Sequence, residues 1–159
     1  MARVTPENVS ILRDNQCILI GTNEAGIHDA GIARYAAGHW GARVGQGFGE
    51  MGQCFGLPTK DFWIRQLPLN VIAFYADRYI FWGSGEPQLE HLVTKVGCGL
   101  AGYTVPDIAP MFKKCLRFSN FWLPQDFLDF YDGIYKANTN DDGTSTNGTS
   151  TSDQLGLRL

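Results

Sequence analysis

Long hydrophobic runs are missing from this chain of 159 residues. None approaches the roughly 18 apolar residues that a membrane-crossing helix requires, so no spanning segment is expected. Charge is scarce as well: Asp, Glu, Lys and Arg make up 18% of the chain, and no basic block occurs. With a formal net charge of −3, broad capture of a nucleic-acid backbone is not expected, although a local site for one nucleotide stays open. The cysteines Cys17, Cys54, Cys98 and Cys115 lie far apart with no C-x-x-C pair, and His28, His39 and His91 are equally scattered. Zinc sites need these residues clustered, so neither a metal nor a cofactor is expected. Most of the cysteines sit in apolar contexts, which predicts free, buried thiols in a reducing compartment. The opening MARVTPENVS has no charged-then-apolar secretory pattern, so the expected location is cytoplasmic. No Ser/His/Asp order and no carboxylate pair stands out.

What the chain does have is apolar content (44%), aromatics (13%) and nineteen glycines, ten of them between Gly21 and Gly56. Cys17–Gly21 (CILIG) is a β-branched run that predicts a buried strand. Ala30–Ala37 predicts a helix ended by Gly38. Cys54–Leu57 predicts a second strand, ended by Pro58-Thr59-Lys60-Asp61. Pro68 opens an amphipathic helix over Leu69–Trp82, with Val71, Ile72, Tyr75, Tyr79 and Phe81 or Trp82 as its apolar positions. A turn at Gly83–Pro87 and a strand at Leu89–Val96 follow. Pro106–Leu116 reads as a helix, Phe118–Leu123 as an edge strand and Pro124–Tyr135 as a last helix. Strands alternating with helices argue for an α/β sheet covered on both faces. Residues 1–136 form the expected domain. From 137 the sequence is too polar to offset its ordering entropy, which predicts a flexible polar tail over 137–159.

In such sheets ligands collect at the carboxyl ends of strands. Three strand ends carry unusual residues: Gly21-Thr22-Asn23, Pro58-Thr59-Lys60 and Gly97-Cys98-Gly99. The last opens Gly97-Cys98-Gly99-Leu100-Ala101-Gly102-Tyr103, where three glycines in six residues let the backbone turn sharply and present bare N–H groups to an anion. Asn23 either caps its loop or contacts a ribose. Asp29, Ala30, Gly31 and Ile32 begin a helix whose first N–H groups can face a phosphate, with Asp29 also readable as the N-cap. Lys60 can hold a phosphate as a point charge, or attack an electrophilic sugar carbon once desolvated; an ordinary surface lysine is the plain alternative. His28, in the same loop region, is the one histidine placed to matter. Tyr103 is read either as a stacking ring or as core.

These segments resemble the macrodomain family, which binds ADP-ribose. ILIGTN with AGIHDAGIARYAA resembles that family's first strand, its Asn and the loop leading into a helix. CFGLPTKD resembles the central strand ending in T-K. VTKVGCGLAGYTVPDIAPMF resembles the second, phosphate-binding loop. The resemblance covers residues 17 to 116, and its nearest branch contains the antitoxin that removes ADP-ribose from DNA bases and a related glutamate-ADP-ribose hydrolase. It implies a three-layer α/β/α mixed sheet, with Lys60 and Asn23 catalytic. Gly21, Thr22, Asn23, Ala30, Gly31, Ile32 and the run Gly97, Cys98, Gly99, Leu100, Ala101, Gly102 and Tyr103 would be ligand-binding. Ala101 stands where the glutamate-specific hydrolases carry an Asp, which departs from that activity and is compatible with the DNA-directed one. The insert WGARVGQGFGEMGQ is expected to add a wall to the pocket. A narrower pattern, G-S/T-N-x-A-G-x-H with G-Q-G-x-G-x-x-G-Q, is similar to bacterial and phage proteins. Three functions follow as expectations: hydrolysis of an ADP-ribosyl linkage on DNA or protein by Lys60, binding of ADP-ribose or a related nucleotide without turnover, or a non-enzymatic structural or assembly role on the same scaffold, in a bacterial or phage-infected cell.

Overall fold

The computed structural model of the protein describes residues 3–138. Residues 139–159, which hold nearly all of the expected polar tail, lie outside the described residues. The described chain is a three-layer α/β/α fold around a five-stranded mixed sheet. Its strands are β1 (Gln16–Asn23), β2 (Gly49–Met51), β3 (Cys54–Lys60), β4 (Glu90–Leu92) and β5 (Phe121–Trp122), in the order β2-β3-β1-β4-β5. All neighbours are parallel except β2, which runs antiparallel to β3. β1 lies centrally, and Ile18, Leu19 and Ile20 are fully buried. That is why CILIG reads as a continuous apolar run instead of alternating.

One layer holds α1 (Gly31–His39), whose Ala33 and Ala36 pack with Trp40, Ile18, Ile20 and Met51. The opposite layer holds α2 (Leu69–Ser84), α3 (Val105–Ile108), a 3-10 helix over Ala109–Arg117 and α4 (Gln125–Tyr131). Tyr79, Phe112 and Phe127 are the largest fully buried side chains there. Burying one large apolar side chain contributes about 1.5–3 kcal/mol, so these rings anchor the larger core.

Several sequence expectations change. Gly38 does not end α1: the helix continues to His39, and Trp40, buried at the next position, donates its N–H to the Ala36 carbonyl at 2.8 Å. α2 buries Ile72, Ala76, Tyr79, Ile80 and Gly83, a stripe that leaves Phe81 exposed and carries the helix to Ser84. β3 does not stop at Leu57. It runs through Pro58, which sits beyond the reach of β2 and beside the register shift against β1, so the missing N–H costs no ladder bond on that free side. The strand expected over Leu89–Val96 shrinks to Glu90–Leu92, after which Val93 donates to the Trp122 carbonyl and Thr94 Oγ1 to the Leu19 carbonyl. The single helix expected over Pro106–Leu116 is one α turn followed by 3-10 winding. Pro110 has no N–H to give the carbonyl four residues back, which favours the tighter winding. β5 is shorter than Phe118–Leu123, and α4 stops at Tyr131, ahead of Gly133 at φ 75°. β2 was not expected at all.

Candidate ligand cleft at the strand ends

The parallel strands β3, β1 and β4 send their carboxyl ends to one rim, and a cleft of about 310 Å³ opens there. Gly21, Thr22 and Asn23 from the end of β1 line it, with Thr59 and Lys60 from β3 and Thr94, Lys95 and Val96 after β4. The start of α1 (Asp29, Ala30, Gly31, Ile32, Ala33) closes one side, and Gly97, Gly99, Leu100 and Ala101 another. The cleft thus brings together most of the residues singled out in the sequence. Cys98, Gly102 and Tyr103 are not among those lining it. Cys98 packs on the main core, where burial pushes its thiol up to about 12. The Gly102 N–H closes a turn on the Gly99 carbonyl, and the Tyr103 hydroxyl donates to the Leu67 carbonyl at 2.5 Å. Thr59, from the Pro58-Thr59-Lys60 strand end, lines the cleft beside Lys60, and Thr94, Lys95, Val96, Ile27, Ala33 and Ile64 line it without having been singled out. Lys95 was legible in hindsight, since it stands two residues before the glycine loop.

Two sets of backbone donors belong to residues that line this space. The N-cap of α1 is Ala30, which provides no side-chain cap, and no acid occupies the first turn. The first N–H groups of the helix, Gly31, Ile32 and Ala33, therefore have no intrahelical acceptor. Asp29 stands one residue too early to be the cap. Gly31 adopts φ 58°, a conformation that favours glycine and turns the chain from the Asp29 approach into the helix. In the second loop, the N–H groups of Gly99, Leu100 and Ala101 have no acceptor among the described residues. The Ala101 carbonyl is held by Gln66 Nε2 at 2.7 Å, so this loop is tied to the chain just after Lys60.

The charges divide unevenly. Lys95 is paired with Asp126 at 2.9 Å. Asp61 binds Arg65, not Lys60, so among the described residues Lys60 has no carboxylate within salt-bridge distance. Among the described residues, Asp29 is the one carboxylate in the cleft lining. Residues with unpaired backbone N–H groups thus share the cleft lining with the Lys60 ammonium, and no acid stands at Ala101 beside them.

Asn23 acts on its own loop. Its Nδ2 donates to the Ile27 carbonyl at 2.8 Å, and its Oδ1 accepts the Ile27 N–H at 3.0 Å. Behind that loop lies the glycine-dense insert, and no residue from 40 to 52 lines the cleft. The expected extra wall is instead a brace. Thr22 Oγ1 donates to the Gly47 carbonyl at 2.5 Å, and the Gly45 N–H to the Gly26 carbonyl at 2.8 Å. His28, buried outside the cleft, makes Nε2 contacts of 2.8 Å and 3.0 Å with the Arg43 and Gln46 carbonyls. Gly47 is required: a Cβ there would sit 2.1 Å from the Asn23 carbonyl oxygen.

Cys17, Cys54 and Cys115 are buried free thiols, and burial raises all three. Thiols held protonated in this way are poor nucleophiles. Among the described residues, no helix is long and apolar enough to cross a membrane, and no group of three or more His, Cys, Asp or Glu could hold a metal ion. No protein-family model, curated protein or solved structure matches the chain. The macrodomain resemblance therefore rests on the quoted motifs.

Proposed function

We propose that this protein binds ADP-ribose or a related nucleotide derivative in the strand-end cleft, with the diphosphate on the backbone amides. The observation that carries this reading is that two N–H sets without acceptors among the described residues, at Gly31–Ala33 and at Gly99–Ala101, line one cleft with Lys60, which has no ion-pair partner among them. A free helix start and a loop of bare amides both favour anions, and a volume near 310 Å³ lies at the low end for a small-molecule site. In this reading Asn23 is a positioning residue, because both ends of its amide are engaged by Ile27.

Hydrolysis of an ADP-ribosyl linkage on DNA or protein is the catalytic extension of the same site, with Lys60 at the anomeric carbon. What favours it is that, among the described residues, no carboxylate lies within salt-bridge distance of Lys60, which leaves its amine available to the substrate.

Calorimetry with inorganic pyrophosphate and ADP-ribose tests the binding. Both should bind, and Lys60→Ala should weaken both by about 10-fold or more, the loss of one charge-assisted contact. A flat trace for both ligands would sink the reading and leave a structural role on this scaffold. Release of ADP-ribose from modified DNA or protein tests the extension, and equal release by wild type and Lys60→Ala would remove Lys60 as catalyst.

A further inference from the structure

The turn that follows Lys60 combines exposed aromatics with backbone strain. Phe62 and Trp63 are 61% and 71% exposed, and their rings meet edge-on at 5.7 Å. Ile64 adopts φ 64°, the one non-glycine residue with positive φ among the described residues, and it lines the cleft. A β-branched residue in the left-handed region is a strained choice that persists only where its surroundings enforce it.

Here the surroundings do enforce it. Asp61 Oδ1 accepts the N–H groups of Trp63 and Arg65, each at 2.9 Å, and its Oδ2 accepts Arg65 Nε at 2.9 Å. These bonds hold the Asp61 carboxyl below its usual range. The Asp61 N–H donates to the Arg65 carbonyl at 2.7 Å, the Ile64 N–H donates to the Asp61 carbonyl at 3.1 Å, and Lys60 bridges Gln66. The Arg65 guanidinium lies 5.1 Å from the centre of the Trp63 ring. A turn needed only to join β3 to α2 would use polar residues or glycine; this one is rigid and displays two aromatic rings.

We propose that the Asp61–Arg65 turn is an aromatic subsite of the cleft, in which Trp63 stacks a planar heteroaromatic ring carried by the ligand. The proposal rests on the anion reading above. Lys60 and Ile64 line the cleft while Phe62 and Trp63 stand just outside its lining, so the turn forms part of the rim and the ring would belong to a portion of the ligand that reaches past the amides. An indole with a guanidinium on it offers a stacking platform for any such ring. Because the turn is pinned before binding, little ordering is left to oppose the stack. The ring has two possible sources, an adenine or a ring beyond a second ribose, and the test separates them.

Kd is measured by calorimetry for inorganic pyrophosphate, ADP-ribose and NAD, on wild type, Trp63→Ala and Trp63→Phe. Alanine should weaken ring-bearing ligands by about 5- to 150-fold, as expected for loss of one base–aromatic stack, with pyrophosphate unchanged. Phenylalanine should restore most of the loss. Weakening of both ADP-ribose and NAD assigns the adenine; weakening of NAD alone assigns the ring beyond the second ribose. Unchanged ADP-ribose and NAD binding overturns the subsite and leaves the anion reading standing. Equal weakening of pyrophosphate also overturns it, since the turn would then only support the cradle. No binding of any ligand by wild type overturns both.

Discussion

Asn23 and Ile27 are joined by a reciprocal pair of hydrogen bonds, in which the Asn23 amide donates to the Ile27 carbonyl and accepts the Ile27 N–H. The pair closes the loop between β1 and α1 and sets the approach to the uncapped start of α1. Asn23→Ala should cost about 2–3 kcal/mol of stability, two hydrogen bonds lost in a nearly buried setting. It should also weaken ligands, because the α1 amides lose their placement. Asn23→Asp keeps the acceptor but sets a carboxylate oxygen against the Ile27 carbonyl, so it should not rescue. Urea denaturation checks the first effect and calorimetry with ADP-ribose the second. Full stability with lost affinity would instead make Asn23 a direct ligand contact.

Gly47 stands where the brace meets that loop. A Cβ at this position would lie 2.1 Å from the Asn23 carbonyl oxygen and 3.2 Å from the Glu24 Cα, both backbone atoms that no rotamer change can move aside. Gly47→Ala should therefore destabilise the fold by about 2 kcal/mol or more, as overpacking against backbone does. Gly45→Ala is a contrasting case, since open space surrounds its Cβ and only its φ of 90° is unfavourable. Comparable losses in both variants, read from urea midpoints, would show that close packing at Gly47 is not the cause.

The legible parts of this fold were those with a local physical signature. CILIG announced β1 because a strand covered on both faces must be apolar throughout. Pro68 announced α2 because its fixed φ suits a helix start. The cleft was legible because the ends of β1 and β3 and the glycine loop after β4 each showed an unusual residue set in sequence. β2 was hidden because its three residues, Gly49–Met51, form a strand only by pairing with β3. The bracing role of residues 40–52 was hidden for a related reason: glycines spaced for close backbone approach look the same as glycines spaced for a pocket wall. Nothing in the sequence marks Ile64 for a left-handed conformation; the Asp61 bonds that impose it exist only once the turn has formed.

His91 makes stability depend on pH. It is fully buried on β4 against Phe121, Trp82 and Tyr79, its Nε2 lies 3.3 Å from the Glu86 carbonyl, and its Nδ1 has no partner. Burial lowers its pKa from the ordinary 6.5, so the folded protein keeps the ring neutral where the unfolded chain would protonate it. A depressed folded pKa contributes stability that is complete above about pH 6.5 and is lost as pH falls below it toward the folded value. Between pH 7.5 and 5.5 the wild type should therefore lose up to about 1.4 kcal/mol more than His91→Gln, one pH unit of differential protonation. Gln removes the titration at similar size, and comparison with it isolates the His91 contribution. Urea midpoints at the two pH values give the difference, and identical pH dependence in the two proteins would mean that His91 titrates normally in the fold.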